Sequence, residues 1–173
     1  MSGEIAIRPA DVEDAAAVLE IERSCTEAPH WSEGVWAQTL AHPSSYLIYG
    51  AQANGPQRMC FVAEQDKEVV GFVVISIVGV AGPGDGVAEM ESVAVREAGR
   101  TQGVGRSLCV QAILWAQTIG AASMQLEVRS ASVAAMALYR SLGFVEQGRR
   151  SGYYTSPNDD AVLMALALTS KSA

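Results

Sequence analysis

The stretch from Val93 to Ile119 constrains the fold most. Val93-Ala94-Val95 ends an alternating segment, Arg100-Thr101-Gln102-Gly103-Val104-Gly105-Arg106 makes a glycine turn, and apolar residues then recur at 104, 108, 112, 113, 116 and 119. That recurrence places one face of a helix against a core. Gly103 and Gly105 therefore fall at a helix N-terminus. There the first backbone N–H groups lack helical partners and the macrodipole is positive, so a pyrophosphate can be held by main chain alone.

The remaining segments fit around this unit. Ile5 to Arg8 alternates like a strand, and Asp11 precedes a helix expected over Val12–Arg23. A loop, Glu27-Ala28-Pro29-His30-Trp31-Ser32, leads to a helix over Glu33–Leu40 with Ser32 as its N-cap. Strands are expected at Tyr46–Gly50, Cys60–Gln65, Val69–Val78 and Ala88–Val95, with a hairpin turn at Gln65–Glu68 and a glycine-rich connection from Gly79 to Gly86. Ser123–Arg129 alternates strictly, with Met124, Leu126 and Val128 on one face and Gln125, Glu127 and Arg129 on the other. A helix capped by Ser130 or Ser132 runs to Ser141 and stops at Gly143. Val145–Gly148 and Ala161–Leu168 read as closing strands joined by a connection from Arg149 to Asp160. The order β-α-α-β-β-β-β-α-β-α-β-β, without repeat or linker, describes one α/β domain over 1–173, core about 5–168, with a mixed sheet flanked by helices.

Composition narrows the function classes. A formal net charge of −7 without a Lys/Arg stripe argues against direct nucleic-acid binding. Such acidity keeps a protein dissolved, or steers a basic peptide or polyamine toward a site. No apolar run reaches the roughly 18 to 20 residues that span a bilayer, and no signal-like block opens the chain, so a cytoplasmic location is expected. The cysteines, Cys25, Cys60 and Cys109, are scattered without ligand spacing, and neither a disulfide framework nor a metal site is expected. Cys109 reads as a small core residue of the helix. His30 and His42 have no carboxylate in register and read as surface or structural residues.

Three phosphate-binding patterns compete for the glycine turn. No lysine follows Gly103 or Gly105, which removes a P-loop NTPase. A dinucleotide fold has G-x-G-x-x-G after a tight turn, but here Leu108 replaces the third glycine and seven residues separate Val95 from Gly103. The third pattern fits throughout: Arg100-x-x-Gly103-x-Gly105 matches [QR]-x-x-G-x-[GA], and on it the chain resembles the GNAT N-acetyltransferases. The flanks sharpen the likeness. Met90-Glu91-Ser92-Val93-Ala94-Val95, Leu126-Glu127-Val128-Arg129, the stretch from Ala134 to Phe144, Ala161 to Leu166, and Pro29-His30-Trp31-Ser32-Glu33 resemble the ribosomal-protein-alanine N-acetyltransferases.

That resemblance implies a mostly antiparallel sheet and acetyl-CoA as cosubstrate, with direct attack of an amine on the thioester. It assigns Glu127 as general base and Tyr139 as general acid. From the residues alone Glu127 is equally a solvent-facing strand carboxylate and Tyr139 a core-edge tyrosine; the matched motifs decide. Flanked by Leu126 and Val128, Glu127 is expected to be partly desolvated, its pKa raised toward the operating pH. The resemblance further assigns main-chain contacts with acetyl-CoA to Val93, Ala94 and Val95, and pyrophosphate contacts to Thr101, Gln102, Gly103, Val104, Gly105 and Arg106, with Arg100 adding charge. Ser132 stands where relatives often carry an asparagine touching CoA, and Glu97 replaces a common proline, so altered CoA affinity is expected. Trp31 and the Tyr153-Tyr154 pair match the peptide groove. The acceptor implied is the N-terminal α-amine of a protein, such as the alanine of a small-subunit ribosomal protein. The alternatives are a small-molecule amine or lysine as acceptor, and a non-catalytic acyl-CoA-binding regulator, against which the presence of Glu127 and Tyr139 argues.

Overall fold

In the computed structural model, which describes residues 3–41, 57–78 and 84–168, seven strands join in one sheet. The chain runs β1 (Ala6–Pro9), a 3-10 turn (Val12–Asp14), α1 (Ala15–Ser24), α2 (Glu33–Leu40), β2 (Gln57–Gln65), β3 (Glu68–Val78) and β4 (Gly86–Val95). A second 3-10 turn (Glu97–Gly99) leads to α3 (Val104–Thr118), β5 (Ala121–Arg129), α4 (Val133–Ser141), β6 (Val145–Thr155) and β7 (Asn158–Ala167). The sheet order is β1-β2-β3-β4-β5-β7-β6. Among the described strands only β4 and β5 run parallel, because α3 carries the chain back between them. The sheet is therefore mixed and mostly antiparallel, as expected; the strand expected at Tyr46–Gly50 lies outside the described residues.

Each face of the sheet has its own core. Leu108, Cys109, Ala112 and Ala116 of α3 and Met136 of α4 bury against Ile75, Met90, Met124 and Leu126. On the other face Val18, Ile21, Trp36 and Leu40 of α1 and α2 cover Val62, Phe72, Val74 and Ala94. The helix starts follow the capping residues of the sequence. Asp11 and Asp14 form a reciprocal capping box, which tightens the first turn of the expected Val12–Arg23 helix into a 3-10 turn, and the Ser32 hydroxyl accepts from the Val35 N–H.

One expectation needs correction. The residues from Arg149 to Asp160 are not a long connection, because β6 continues to Thr155 and β7 begins at Asn158. β6 is an edge strand exposed along almost its whole length. With neither face buried it carries no period-2 apolar pattern, so its second half reads as loop.

Two irregularities in β4 shape the centre of the sheet. Val74 lies opposite Ser92 and Ile75 opposite Met90, leaving Glu91 as a bulge. The bulge reverses the alternation: Ala88 and Met90 face α3, then Val93 and Val95 pack on that same side while Ala94 turns to α1 and α2. Beyond the bulge β4 parts from β5. Their pairing ends at Glu89 and Gln125, although both strands continue.

Candidate active site

Where the parallel strands separate, the sheet has a slit. A cavity of about 450 Å³ fills it, lined by Met90 to Val95 from β4, Leu126 to Arg129 from β5, Ser132, Ala134, Ala135 and Tyr139 from α4 and its approach, and Cys25 to Pro29 from the loop after α1. The β4 main chain from Met90 to Val95 has no β5 partner along the slit, so its N–H and C=O groups on that side, apart from the Val95 carbonyl, are available to an extended, amide-bearing ligand.

Glu127 and Tyr139 reach the cavity from opposite sides of the sheet. Leu126 and Val128 point into the α3 core, so Glu127 faces the α1–α2 side, with 28% of its side chain exposed. Its Oε1 pairs with the Arg150 guanidinium of β6 at 3.2 Å. The carboxylate is therefore half-buried and has a cationic partner on β6. Tyr139 packs on the α3 side, its ring 5.9 Å from Phe144. Burial pushes its phenol well above the usual range, with Cys109 and Glu27 adding to the rise, so the hydroxyl keeps its proton at neutral pH.

The end of α4 holds Tyr139 in place. Gly143 adopts φ 99°, the Phe144 N–H donates to the Tyr139 carbonyl at 3.0 Å, and the Gly143 N–H donates to Arg140 at 3.0 Å. This is a Schellman cap with its hydrophobic contact between the two aromatic rings.

The glycine turn lies where the spacing places it. Gly103 takes φ 83°, and the Ser107 N–H is bonded to its carbonyl at 3.0 Å, so the N–H groups of Val104, Gly105 and Arg106 precede the first helical bond. A Cβ on Gly103 would meet nothing within 4 Å, so the left-handed backbone, not close approach, calls for glycine there. Thr101 is also left-handed, and Gln102 donates to the Ala98 carbonyl at 2.7 Å. Arg106 turns to Ser141 at 3.0 Å. Arg100 folds back along the cavity wall, donating to the Val95 carbonyl at 3.3 Å and lying 3.7 Å from the Cys25 sulfur. Ser132 is buried against the cavity at the start of α4 and makes no side-chain cap.

Of the expected groove aromatics, Tyr154 lines the cavity beneath the Arg129 guanidinium, 4.0 Å from its ring centre. Trp31 does not. It packs 5.1 Å from Trp36, with Arg58 over its ring at 5.0 Å. A buried carboxylate explains this placement: Glu22 accepts from the Trp31 N–H at 2.8 Å and from the Trp36 indole at 2.7 Å. Trp31 anchors the loop, and the neighbouring Cys25 to Pro29 form the wall.

Several wall residues were missed from sequence. A second cavity of about 340 Å³ continues the first toward Tyr153 and Tyr154 and adds Glu89. Burial, then Glu91 and Glu127, raise the Glu89 carboxyl above its usual range. Glu91 is held by Arg58 at 2.8 and 3.1 Å. Their signal was the polar alternation Glu89-x-Glu91 just before the turn unit. Cys60 and Cys109 are buried, and burial pushes the Cys109 thiol up to about 12; Cys109 is a core residue as read.

Known proteins resemble this chain in sequence and fold. Residues 15–144 match the model of the acetyltransferase (GNAT) family. The [ribosomal protein bS18]-alanine N-acetyltransferase of Escherichia coli is 30% identical over 158 residues, covering 90% of this chain and 93% of that protein. The crystal structure of the ribosomal-protein-S18-alanine N-acetyltransferase from Escherichia coli superposes with a TM-score of 0.74 at 29% identity, over 96% of this chain and 95% of that one. Arabidopsis thaliana NAA60 in complex with acetyl-CoA shares the fold, with a TM-score of 0.78 at 18% identity over 95% and 99% of the two chains. With the strands parted at the glycine-turn unit and most of its length matched, the chain belongs to the acetyltransferase (GNAT) family and is an N-acetyltransferase.

Proposed function

We propose that this enzyme transfers acetyl from acetyl-CoA to the N-terminal α-amine of a protein in the cytoplasm, with the N-terminal alanine of a small-subunit ribosomal protein as its target. The observation that carries this reading is the slit between β4 and β5, faced by a carboxylate on one side of the sheet and a protonated phenol on the other. A thioester lying in the slit has an amine-side base and a sulfur-side acid.

The free main chain of Val93, Ala94 and Val95 pairs with the amides of the cosubstrate arm, and the N–H groups of Val104 to Arg106 take the pyrophosphate. A β4 N–H near Val93 polarises the thioester carbonyl. Glu127 takes a proton from the acceptor ammonium as Arg150 swings aside; the pair is half-exposed and therefore weak. The amine nitrogen then bonds the carbonyl carbon, the C–S bond breaks, and the departing sulfur takes the Tyr139 proton. The nitrogen's second proton restores the phenol, and Glu127 returns the first to water. An α-amine suits this base. At pH 7.4, freeing its lone pair costs roughly 0.6 kcal/mol, against about 4 for a lysine.

The relative from Escherichia coli, named a ribosomal-protein-alanine N-acetyltransferase, supports the same acceptor class. A panel of N-terminal peptides tests it, scored by acetyl mass shift and including an alanine-starting ribosomal sequence with its blocked control. Acetylation of free N-termini is expected. Preference for lysine side chains or polyamines would overturn the acceptor, and absence of thiol release with any amine would favour a binding regulator.

A further inference from the structure

The bulge in β4 leaves a polar group that neither the fold nor the reaction above uses. Ser92 follows the bulged Glu91, lies opposite Val74 on the α1–α2 side, lines the cavity, and is 6% exposed. Its Oγ is buried and has no hydrogen-bond partner. Stripping a hydroxyl of water without replacing the bond is costly, and native proteins almost always satisfy such groups. Beside Val74 and Ala94, an alanine would fill the position without that cost. The hydroxyl sits on the same side of the sheet as Glu127, across the slit where β4 and β5 no longer pair.

Resting on the amine-acetylation reading above, we infer that Ser92 is a substrate-contacting residue of the acceptor site, its Oγ turning about χ1 from its buried position to accept a hydrogen bond from the incoming primary ammonium. Two strands then grip the nitrogen, Glu127 from β5 and Ser92 from β4. The second grip matters once the proton has left. A neutral amine is no longer drawn to the carboxylate, and the Ser92 bond keeps it in the slit while its lone pair turns to the carbonyl carbon. The orphaned hydroxyl is thus kept beside the slit at the expense of the free protein's stability.

Ser92→Ala and Ser92→Thr, assayed beside the wild type, test this with α-amine peptides, lysine peptides and spermidine. For Ser92→Ala, kcat/KM for the preferred amine is expected to fall about tenfold, the value of one lost hydrogen bond to a charged group. KM for acetyl-CoA should stay unchanged, and Ser92→Thr should recover most of the loss. In the same preparations the Tm of ligand-free Ser92→Ala should rise by about 2–4 °C, because an unpaired hydroxyl is gone. Wild-type kcat/KM for the amine in Ser92→Ala, or a change confined to acetyl-CoA, would sink the inference. So would a lower Tm, which would mean that the hydroxyl already has a partner. Turnover by the wild type of lysines or spermidine alone would overturn the α-amine acceptor while still testing Ser92 on those amines; turnover of no amine would overturn both.

Discussion

Glu127 has two calls on its carboxylate. In the free enzyme it pairs with Arg150 at 3.2 Å, and in the proposed reaction it must receive the acceptor's proton. These demands are compatible because more than half of the Arg150 side chain is exposed, where an ion pair is worth little and exchanges readily for another cation. An arriving ammonium can therefore replace the guanidinium without breaking a strong bond. Glu127→Gln keeps the shape and a hydrogen-bonding group but cannot take the proton, so kcat is expected to fall by at least a hundredfold. The acetyl-CoA contacts proposed above lie on β4 and α3, so its dissociation constant should not move. Steady-state kinetics with a titration of acetyl-CoA checks both, and full turnover by Glu127→Gln would remove the base assignment.

At the scale of elements, each end of the slit is held by something small. Tyr139 is fixed by the turn that stops α4: Gly143 at φ 99° lets the Phe144 N–H return to the Tyr139 carbonyl. In Gly143→Ala the left-handed backbone costs about 1–2 kcal/mol, and the new methyl meets Leu166 at 3.2 Å. Tm should drop by roughly 2–8 °C, and kcat should fall with the tyrosine loosened while KM for acetyl-CoA changes little; a calorimetric scan with steady-state assays decides. Gly143 was readable as a cap in the sequence, and so were the glycine turn, the capping residues and the strict alternation around Glu127, because each is a local rule. The bulge was not read, although it left a trace: the apolar phase of β4 slips between Met90 and Val93. The setting of Trp31 was not readable for a different reason. Glu22 on α1 holds its main chain beside Trp36, and a tertiary hydrogen bond has no period. β6 was cut short because an edge strand exposed on both faces has no apolar pattern to display.

Across the whole molecule, the loop wall of the slit depends on how α1 sits on the sheet, and one ion pair ties the start of that helix to β1. Arg8 donates to both Asp14 oxygens at 2.8 Å and to Glu64 of β2 at 3.1 Å, joining two strands and the helix entry. Asp14 is 6% exposed and also accepts from the Asp11 N–H at 2.9 Å. The hydrogen bonds from Arg8 outweigh burial and hold the Asp14 carboxyl below its usual range, while Arg8 stays charged throughout. The folded state thus binds fewer protons at this site than the unfolded chain does. Its stabilisation is complete above the ordinary carboxylate pKa of about 3.9 and is lost as pH falls through the lower, folded value. Asp14→Asn removes the charge but keeps the size. At pH 7 it should cost roughly 2 kcal/mol, a Tm drop of about 4–8 °C. The gap between variant and wild type should close as melts are repeated from pH 5 toward pH 2. A gap that stayed constant over that range would show that Asp14 acts through the Asp11 cap rather than through Arg8, and the charge link between the sheet and the slit's helix would have to be abandoned.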